Sequence, residues 1–323
     1  VWMKHKGIKT ALAGAGALAA GLSAVAVAGF RTAVVRRDLT PEQERQHLER
    51  GSWRDCLEEI DREMAWFRAQ KPEELTIRSR DGLKLCGSYL EAPDAKACML
   101  LCHGYRSRGG LDFALVLRTL YEHGCSVLVI DQRAHGRSEG KYIAYGVLER
   151  YDCQQWAWFL HAKLGGRVPI FLEGMSMGAS TVMMAAELAL PPSVVGIIAD
   201  CGYNSPWEEL RHCIKYRYHL PVFPVLPLTE LMCRLVAGYS LKGASAAASL
   251  ANSPLPLLII HGMDDDFVPA TMTAENYAAA AGEKRQILVP GARHALSYLV
   301  DRERLEKELM DFIDSHVEQF HGA

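Results

Sequence analysis

The chain has 323 residues, of which 49% are hydrophobic and 23% charged, and its formal net charge is −2. A chain of this length and composition can bury a large apolar core. The balance of charge argues against a nucleic-acid partner, which would require a basic surface. No His-Glu-x-x-His or Cys-x-x-Cys spacing indicates a metal site, so we expect neither a metal nor a cofactor.

The N-terminal segment, residues 1–30, predicts a membrane anchor or a signal. Three lysines lie between residues 4 and 9, and an uncharged run extends from Thr10 to Phe30. A run of this length can cross a bilayer as a transmembrane helix. Cleavage after Ala26-Val27-Ala28, giving a secreted protein, is the alternative. Basic residues are balanced on the two sides of the run, so the sequence does not orient the anchor.

Residues 31–72 predict a helical connector. Thr40-Pro41-Glu42-Gln43 has the pattern of a helix start, with proline at the first helical position. Apolar residues then recur at helical spacing as far as Gln70. They are Trp53, Leu57, Ile60, Met64 and Phe67. This apolar stripe predicts a helix that docks on the following domain rather than on a partner.

Residues 73–323 alternate between strand and helix patterns and form the main domain. Two strand-like runs flank Asp81-Gly82, which indicates a hairpin at an antiparallel edge. Buried apolar runs follow at 98–102, 126–130, 168–172, 194–199, 255–260 and 286–290. Helical patterns separate these runs, and the last spans 296–320. The alternation predicts an α/β fold with a mostly parallel twisted sheet and helices on both faces.

The most specific pattern is Gly174-Met175-Ser176-Met177-Gly178, which lies between an apolar strand and a helix. A sharp turn at this place exposes the serine hydroxyl and requires small neighbours, which Gly174 and Gly178 supply. The new helix also directs free N–H groups, beginning with that of Met177, toward a developing oxyanion. The pattern predicts that Ser176 is a nucleophile.

Polar residues follow several other strands at the same edge of the predicted sheet. His103-Gly104-Tyr105 ends the run 98–102, and the Tyr105 N–H is a second candidate oxyanion donor. The segment 261–269 contains three consecutive aspartates, and His294 follows the last strand. The chain order is therefore serine, acid and histidine, as in alpha/beta-hydrolases.

On these motifs the chain resembles the alpha/beta-hydrolase superfamily, and within it the serine-aminopeptidase-like group that has an N-terminal membrane segment. The resemblance covers residues 73–323. It implies Ser176 as nucleophile, His294 as base and Asp265 as acid, because Asp265 is the fifth residue of the pattern His-Gly-x-x-Asp-x-x-Val-Pro. The N–H groups of Tyr105 and Met177 would then form the oxyanion hole.

Several residues have a second interpretation. Asp200 ends the strand 194–199 and is an alternative acid, since some members of the superfamily take the carboxylate from that strand. His103 and His261 each precede a glycine at a strand end and are expected to be structural. The loop from Asp131 to Gly140 matches a segment that is mainly architectural in the superfamily. The nine cysteines are expected to be small buried side chains rather than a disulfide framework.

About fifty residues separate Asp200 from Leu255, which is long for a strand-to-helix connection. Ser205-Pro206-Trp207-Glu208 has a capping-box pattern, so a helix should begin there. We predict a helical lid over Ser176 at about 203–244. Its aromatic residues indicate an apolar acyl or aromatic substrate group, unless they only pack the lid onto the body.

The sequence therefore predicts a membrane-associated serine hydrolase that cleaves a carboxylic ester through an acyl-enzyme. A serine peptidase or amidase, or an acyltransferase, would use the same residues. A non-catalytic membrane-tethered binding protein is a further alternative, because fold alone does not establish catalysis. The expected partner is a small-molecule ester or amide. The sequence leaves the physiological substrate and the oligomeric state open.

Overall fold

The structure, a computed structural model, describes residues 21–38, 40–50 and 53–321. Its centre is one eight-stranded sheet with the spatial order β1-β2-β4-β3-β5-β6-β7-β8. In chain order the strands are Glu73–Arg78, Lys84–Leu90, Ala97–Cys102, Cys125–Asp131, Ile170–Met175, Val194–Asp200, Leu257–Gly262 and Lys284–Val289. The apolar runs predicted as strands all lie in or overlap these elements.

The sheet is antiparallel at one edge and parallel elsewhere. β1 and β2 form the predicted hairpin around Asp81-Gly82, with Arg78 opposite Lys84. β2 also pairs antiparallel with β4, whereas every pair from β4 to β8 is parallel. The carboxyl ends of the parallel strands therefore meet along one edge, and this confirms the predicted mostly parallel sheet.

Helices connect the strands and cover the sheet. The α-helices are α1 Pro41–Arg50, α2 Leu57–Ala69, α3 Ala114–Glu122, α4 Glu149–Lys163, α5 Met177–Ala185, α6 Pro206–His212, α7 Val222–Met232, α8 Ala246–Ala251, α9 Ala270–Ala279, α10 Ser297–Val300 and α11 Arg302–Val317. Short 3₁₀ turns precede α2 and α3, at Arg54–Cys56 and Leu111–Phe113. The single C-terminal helix predicted for 296–320 is divided at Asp301, whose backbone is not helical (φ −139°, ψ 56°).

The two faces of the sheet bury separate apolar clusters. One contains Trp156 and Val182, from α4 and α5. The other contains Leu117 from α3 and Phe312 from α11, and the Phe312 ring packs edge-on against Phe171 of β5. Alternate residues of the central strands point into opposite clusters, which explains why these strands are apolar throughout rather than alternating.

The predicted connector is helical and docks on the body. Thr40 and Gln43 form a reciprocal capping pair: the Gln43 N–H donates to Thr40 Oγ1, and the Thr40 N–H donates to Gln43 Oε1. Ile60 and Phe67 of α2 are buried against the region of α3. The apolar stripe read from the sequence therefore faces the main domain.

The long connection between β6 and β7 contains α6, α7 and α8, of which α6 and α7 lie in the predicted lid region 203–244. Ser205 caps α6, its hydroxyl accepting the Glu208 N–H as the capping box predicts. A π-turn, Cys213–Arg217, extends α6, and a second one, Cys233–Ala237, extends α7. Tyr203, just before α6, is buried and donates its hydroxyl proton to the Tyr145 carbonyl, so it is part of the body.

Only the end of the predicted membrane segment lies within the described residues, because residues 1–20 fall outside them. Residues 21–33 are helical, and Ala26, Phe30 and Val34 are buried. Of the helices in the described part of the chain, none is long and apolar enough to cross a membrane. The prediction of a transmembrane helix is therefore not supported by the part that is described, since its end packs on protein.

All nine cysteines are described, and each is buried and unpaired. Burial raises the pKa of the Cys98 and Cys125 thiols, the latter to about 12. A thiol held neutral by an apolar environment reacts slowly. The cysteines therefore behave as small core residues, as the sequence predicted.

Candidate active site

Ser176 lies at a sharp turn between β5 and α5. Its backbone has φ 55° and ψ −115°, a conformation that is strained for a residue with a side chain. Its N–H donates to the Asp200 carbonyl at 2.8 Å, which ties the turn to the neighbouring strand. The flanking glycines are required because the backbone at residue 174 lies very close to that at residue 178. A Cβ on Gly174 would lie 2.2 Å from the Gly178 carbonyl.

The structure brings Ser176, His294 and Asp265 together. His294 Nε2 lies 3.0 Å from Ser176 Oγ, and His294 Nδ1 lies 2.7 Å from Asp265 Oδ2. Because the carboxylate accepts the Nδ1 proton, Nε2 carries the lone pair that faces the serine hydroxyl. This geometry allows His294 to accept a proton from Ser176.

The surrounding loop determines which of the three aspartates reaches His294. Asp265 is buried, whereas Asp264 and Asp266 are exposed. Oδ1 of Asp265 accepts the N–H groups of Phe267 and Val268, each at 2.9 Å. These two bonds orient the carboxylate and leave Oδ2 toward the imidazole.

His261 supports the same carboxylate. Its Nε2 lies 2.9 Å from the Val268 carbonyl and 3.2 Å from Asp265 Oδ2. Burial by itself would raise the pKa of Asp265, but hydrogen bonds from His261 and His294 outweigh it and lower that pKa well below its ordinary value. His261 thus has a structural role next to the site, through a contact between residues four positions apart.

Asp200, the alternative acid, lines the same cavity as Glu173. Asp200 and Glu173 line a small cavity of about 40 Å³ between the sheet and α11, together with Tyr298. Each carboxyl has a buried oxygen without a hydrogen-bond partner. Burial raises the pKa of Asp200 to about 6 and that of Glu173 to about 8, so each carboxyl loses its proton at a higher pH than Asp265 does.

The neutral form of Glu173 has a measurable consequence for stability. Its pKa is about 8 in the folded chain against an ordinary 4.5, so the folded state binds more protons than the unfolded state over that interval. Stability is therefore lost as the pH rises from about 5 to 8, by on the order of 3 kcal/mol. We expect Glu173→Gln to remove this loss.

The measurement is the melting temperature of the two proteins between pH 5 and 9. The wild type should lose more of its melting temperature over this range than Glu173→Gln does. The exposed carboxyl of Glu318 supplies a control, because Glu318→Gln should follow the wild type. Parallel curves for Glu173→Gln and the wild type would show that Glu173 is ionised in the folded protein.

The two candidate oxyanion donors lie on either side of Ser176. Met177 is the first residue of α5, so its N–H has no partner within the helix. On the other side, a Cβ on Gly104 would lie 3.3 Å from the Ser176 Cβ, which places the loop before Tyr105 against the serine. The Gly104 N–H itself donates to Asp112 Oδ2.

The side chain of Tyr105 attaches the loop after β3 to the N-terminal segment. Its hydroxyl donates to the Ala33 carbonyl at 2.8 Å, as does that of Tyr145. The two tyrosine rings stack at 5.4 Å, and the Arg106 guanidinium donates to the Thr32 carbonyl. Sequence reasoning missed this contact, because it joins residues about seventy positions apart.

The loop after β4 supports the same region. His135 lies within hydrogen-bond distance of the Arg133 carbonyl through Nδ1, and its Nε2 accepts the Arg106 N–H. His103 Nε2 accepts the Gln132 N–H. Both histidines are therefore held by backbone groups of the loops around the serine.

The π-turn after α6 reaches the loop after β7, which contains Asp265 and Phe267. The Arg217 guanidinium lies 4.7 Å from the Phe267 ring centroid, and the Phe267 ring lies 4.9 Å from that of His294. The aromatic residues that suggested a substrate pocket point elsewhere: Tyr216, Tyr218 and Phe223 are 57%, 57% and 79% exposed. More than half of the surface of each of these three side chains is therefore open to the outside.

One further set of side chains has metal-ligand geometry. Cys201, Asp265 and His294 offer ligand atoms within 4.8 Å of one another. Burial raises the pKa of the Cys201 thiol well above its ordinary value, and a neutral thiol is a poor metal ligand. The other two side chains already bond each other, so we assign no metal here.

The sheet order, the turn at Ser176 and the residues grouped at the carboxyl edge define the class: the chain has the alpha/beta-hydrolase fold. A family model described as serine aminopeptidase, S33 (Hydrolase_4) matches residues 93–215. This part of the chain is thus similar to that family, and structural neighbours described as an esterase and an alpha/beta hydrolase share the fold.

Individual proteins are similar to this chain at low sequence identity. The chain is 29% identical over 249 residues to YqkD of Bacillus subtilis (strain 168), described as an uncharacterized protein, covering 77% of this chain and 81% of that one. The esterase Pf2001 of Pyrococcus furiosus superimposes with a TM-score of 0.63 at 22% identity, covering 77% and 94%. Proline iminopeptidase of Mycobacterium smegmatis gives 0.56 at 16% identity, covering 76% and 99%. At these identities the two structures show a shared fold.

Proposed function

We propose that this protein is a serine hydrolase that cleaves carboxylic esters through an acyl-enzyme, with Ser176 as nucleophile, His294 as base and Asp265 as acid. The observation that carries the proposal is the position of His294, within 3.0 Å of the Ser176 hydroxyl and 2.7 Å of the Asp265 carboxylate. A serine hydroxyl is a weak nucleophile unless an adjacent base removes its proton.

In the proposed reaction Ser176 Oγ attacks the ester carbonyl carbon while its proton passes to His294 Nε2. The carbonyl oxygen becomes an oxyanion, which the N–H groups of Tyr105 and Met177 stabilise. When the bond from carbon to the leaving oxygen breaks, His294 returns the proton to the departing alcohol. Water then attacks the acyl-enzyme, again losing a proton to His294, and the carboxylic acid leaves as Ser176 regains its proton.

Asp265 orients the imidazole and stabilises its protonated form during each transfer. Its lowered pKa supports this role, because the carboxyl is ionised throughout the neutral range. Aromatic rings lie close to the site, with the Phe267 ring against His294 and the Tyr105 ring stacked on Tyr145. These contacts favour an ester with an apolar acyl or aromatic group, covered by the insertion between β6 and β7 as a lid.

A serine peptidase or amidase is the second candidate. The description of the matching family model, serine aminopeptidase, favours it, as does the structural likeness to a proline iminopeptidase. An amide differs from an ester in its leaving group, and the same three side chains can serve both reactions. The likeness to an esterase favours the first candidate.

A fluorophosphonate probe tests the nucleophile. We expect folded wild-type protein to form one covalent adduct, located by mass spectrometry on the peptide that contains Ser176. Ser176→Ala and heat-unfolded wild type should remain unlabelled, because labelling requires both the hydroxyl and the assembled base. An unlabelled folded wild type would favour the non-catalytic binding protein.

A substrate panel then separates the two candidates. It compares acyl esters of increasing chain length with aminoacyl amides, all measured as kcat/KM. We expect esters to be cleaved at least tenfold faster, a difference of about 1.4 kcal/mol in the barrier. Faster cleavage of the amides would favour the peptidase.

We also propose that the uncharged run up to Phe30 holds the chain at a membrane. The run is long enough to cross a bilayer, and its basic flanks are typical of an anchor. Carbonate extraction of a membrane fraction should leave the protein in the pellet. Recovery of soluble protein whose N-terminus follows Ala28 would instead indicate a cleaved secretory signal.

A further inference from the structure

Exposed apolar side chains are concentrated in one part of the described structure. Of twelve large apolar side chains that are exposed there, nine lie in the N-terminal helical segment or between residues 216 and 236 of the insertion. We call these nine the apolar lid face: Val25, Val27, Tyr216, Tyr218, Leu220, Phe223, Leu231, Leu235 and Val236. Such a concentration marks a binding surface, whereas scattered apolar residues are ordinary.

Helix α7 and the π-turn that extends it have exposed apolar residues on one side and buried residues on the other. Leu231 and Leu235 are four residues apart and lie on the outer side, with 48% and 73% of their surface exposed. Leu226, Thr229 and Cys233 lie on the inner side and are buried. The helix is thus apolar on both sides, and its outer side has no partner in the described structure.

The N-terminal segment lies beside α7. A Cβ on Gly29 would lie 2.7 Å from Thr229 Oγ1 and 3.9 Å from Val225, so the helical residues 21–33 pack against α7. Residues 21–33 thus adjoin the insertion. If the uncharged run that ends at Phe30 is held at a bilayer through its earlier residues, the insertion is the part of the body next to the lipid.

Positive charge accompanies the apolar lid face. Lys215, Arg217 and Arg234 are exposed between its apolar residues, and Lys215 Nζ lies 4.7 Å from the Tyr216 ring centroid. The one carboxylate within 213–237, Glu230, is buried and accepts from the Arg234 Nε at 2.8 Å. Exposed aromatic and aliphatic side chains with interspersed cations are typical of segments that bind anionic lipid surfaces.

We propose that the apolar lid face docks on an anionic lipid surface, with its apolar side chains in the interface and its three cations at the headgroups. Each cation near such a surface contributes attraction that a neutral membrane does not supply. If the proposed function also holds, docking has a second consequence, for catalysis: the ester would reach Ser176 from the lipid phase rather than from bulk water.

Position-specific fluorescence tests the docking in the full chain. Leu235→Cys is labelled with the environment-sensitive fluorophore NBD, which the buried native cysteines should not take up. Val300→Cys, at an exposed apolar residue outside the lid face, is the control: 50% of the Val300 surface is exposed, against 73% for Leu235. Both proteins are added to vesicles of phosphatidylglycerol and phosphatidylcholine that carry nitroxide-labelled acyl chains.

We expect the NBD emission at position 235 to shift to the blue and to be quenched several-fold more than at position 300. Vesicles of phosphatidylcholine alone should give a smaller effect. Equal quenching at both positions overturns the proposal. A blue shift that needs no vesicles and grows with protein concentration also overturns it, since a second copy of the chain would then be the occupant.

Kinetics test the second consequence separately. The pair Leu231→Ser and Leu235→Ser should lower turnover of a long-chain ester embedded in vesicles at least tenfold. The control pair Trp158→Ser and Val300→Ser should not. Turnover of a soluble short-chain ester should stay unchanged in both. If fluorophosphonate labelling fails while position 235 remains quenched, the docking stands and the proposed hydrolase activity falls.

Discussion

Asp265→Asn is expected to lower kcat for ester hydrolysis about 10⁴-fold, because it reverses the imidazole tautomer. Oδ1 of Asp265 accepts two backbone N–H groups, from Phe267 and Val268. The amide oxygen of an asparagine must take that position, since an NH₂ group there would face two donors. The amide NH₂ would then donate to His294 Nδ1 and leave a proton on Nε2, where the lone pair is needed.

Asp200→Asn is the control variant, because Asp200 is the alternative candidate for the acid. Asp200 lies at the end of the neighbouring strand and holds its carboxyl beside Glu173, so we expect its replacement to change kcat less than tenfold. Rates are measured with one soluble ester, after circular dichroism has shown that both variants fold. If Asp200→Asn abolished turnover and Asp265→Asn did not, the assignment of the acid would be wrong.

Gly178→Ala is expected to destabilise the protein by about 3 kcal/mol or more and to abolish turnover, because the added methyl group overlaps backbone. Its Cβ would lie 1.7 Å from the Cys102 carbonyl oxygen and 2.5 Å from the Cys102 carbonyl carbon. No rotamer can relieve this clash. Helix α5 would have to move away from β3 and carry Ser176 with it.

Urea unfolding measures the loss of stability. Gly21→Ala provides the matched control, since nothing lies within 4 Å of a Cβ at Gly21 and residue 21 is helical. That change should leave the unfolding midpoint unaltered or raise it slightly, as alanine favours helix over glycine. A Gly178→Ala variant with the wild-type midpoint would show that the turn tolerates a side chain.

The sequence predicted the fold and the nucleophile turn because both depend on local patterns. Strands buried on both faces are apolar throughout, so their positions can be read from composition alone. The Ser176 turn requires glycines two residues away on each side, where β5, α5 and β3 approach most closely. Capping at Thr40 and Ser205 is likewise a matter of residues three positions apart.

The sequence predicted less well where distant residues decide the outcome. Its pattern for 296–320 continued through Asp301, where the structure divides the helix. It assigned the aromatics of the insertion to a substrate pocket or to packing, yet Tyr216 and Phe223 are exposed. An apolar residue has the same propensity whether it faces the body or the outside, so the sequence does not state which side a helix presents.

By itself, then, the sequence determined the α/β architecture, the turn at Ser176 and the order of candidate acid and base along the chain. Only the tertiary structure decided that Asp265 rather than Asp200 contacts His294 and that Tyr105 is tied to Ala33. The physical reason is range: propensities, caps and close turns act over a few residues, whereas a hydrogen bond between loops depends on where the whole sheet places their ends.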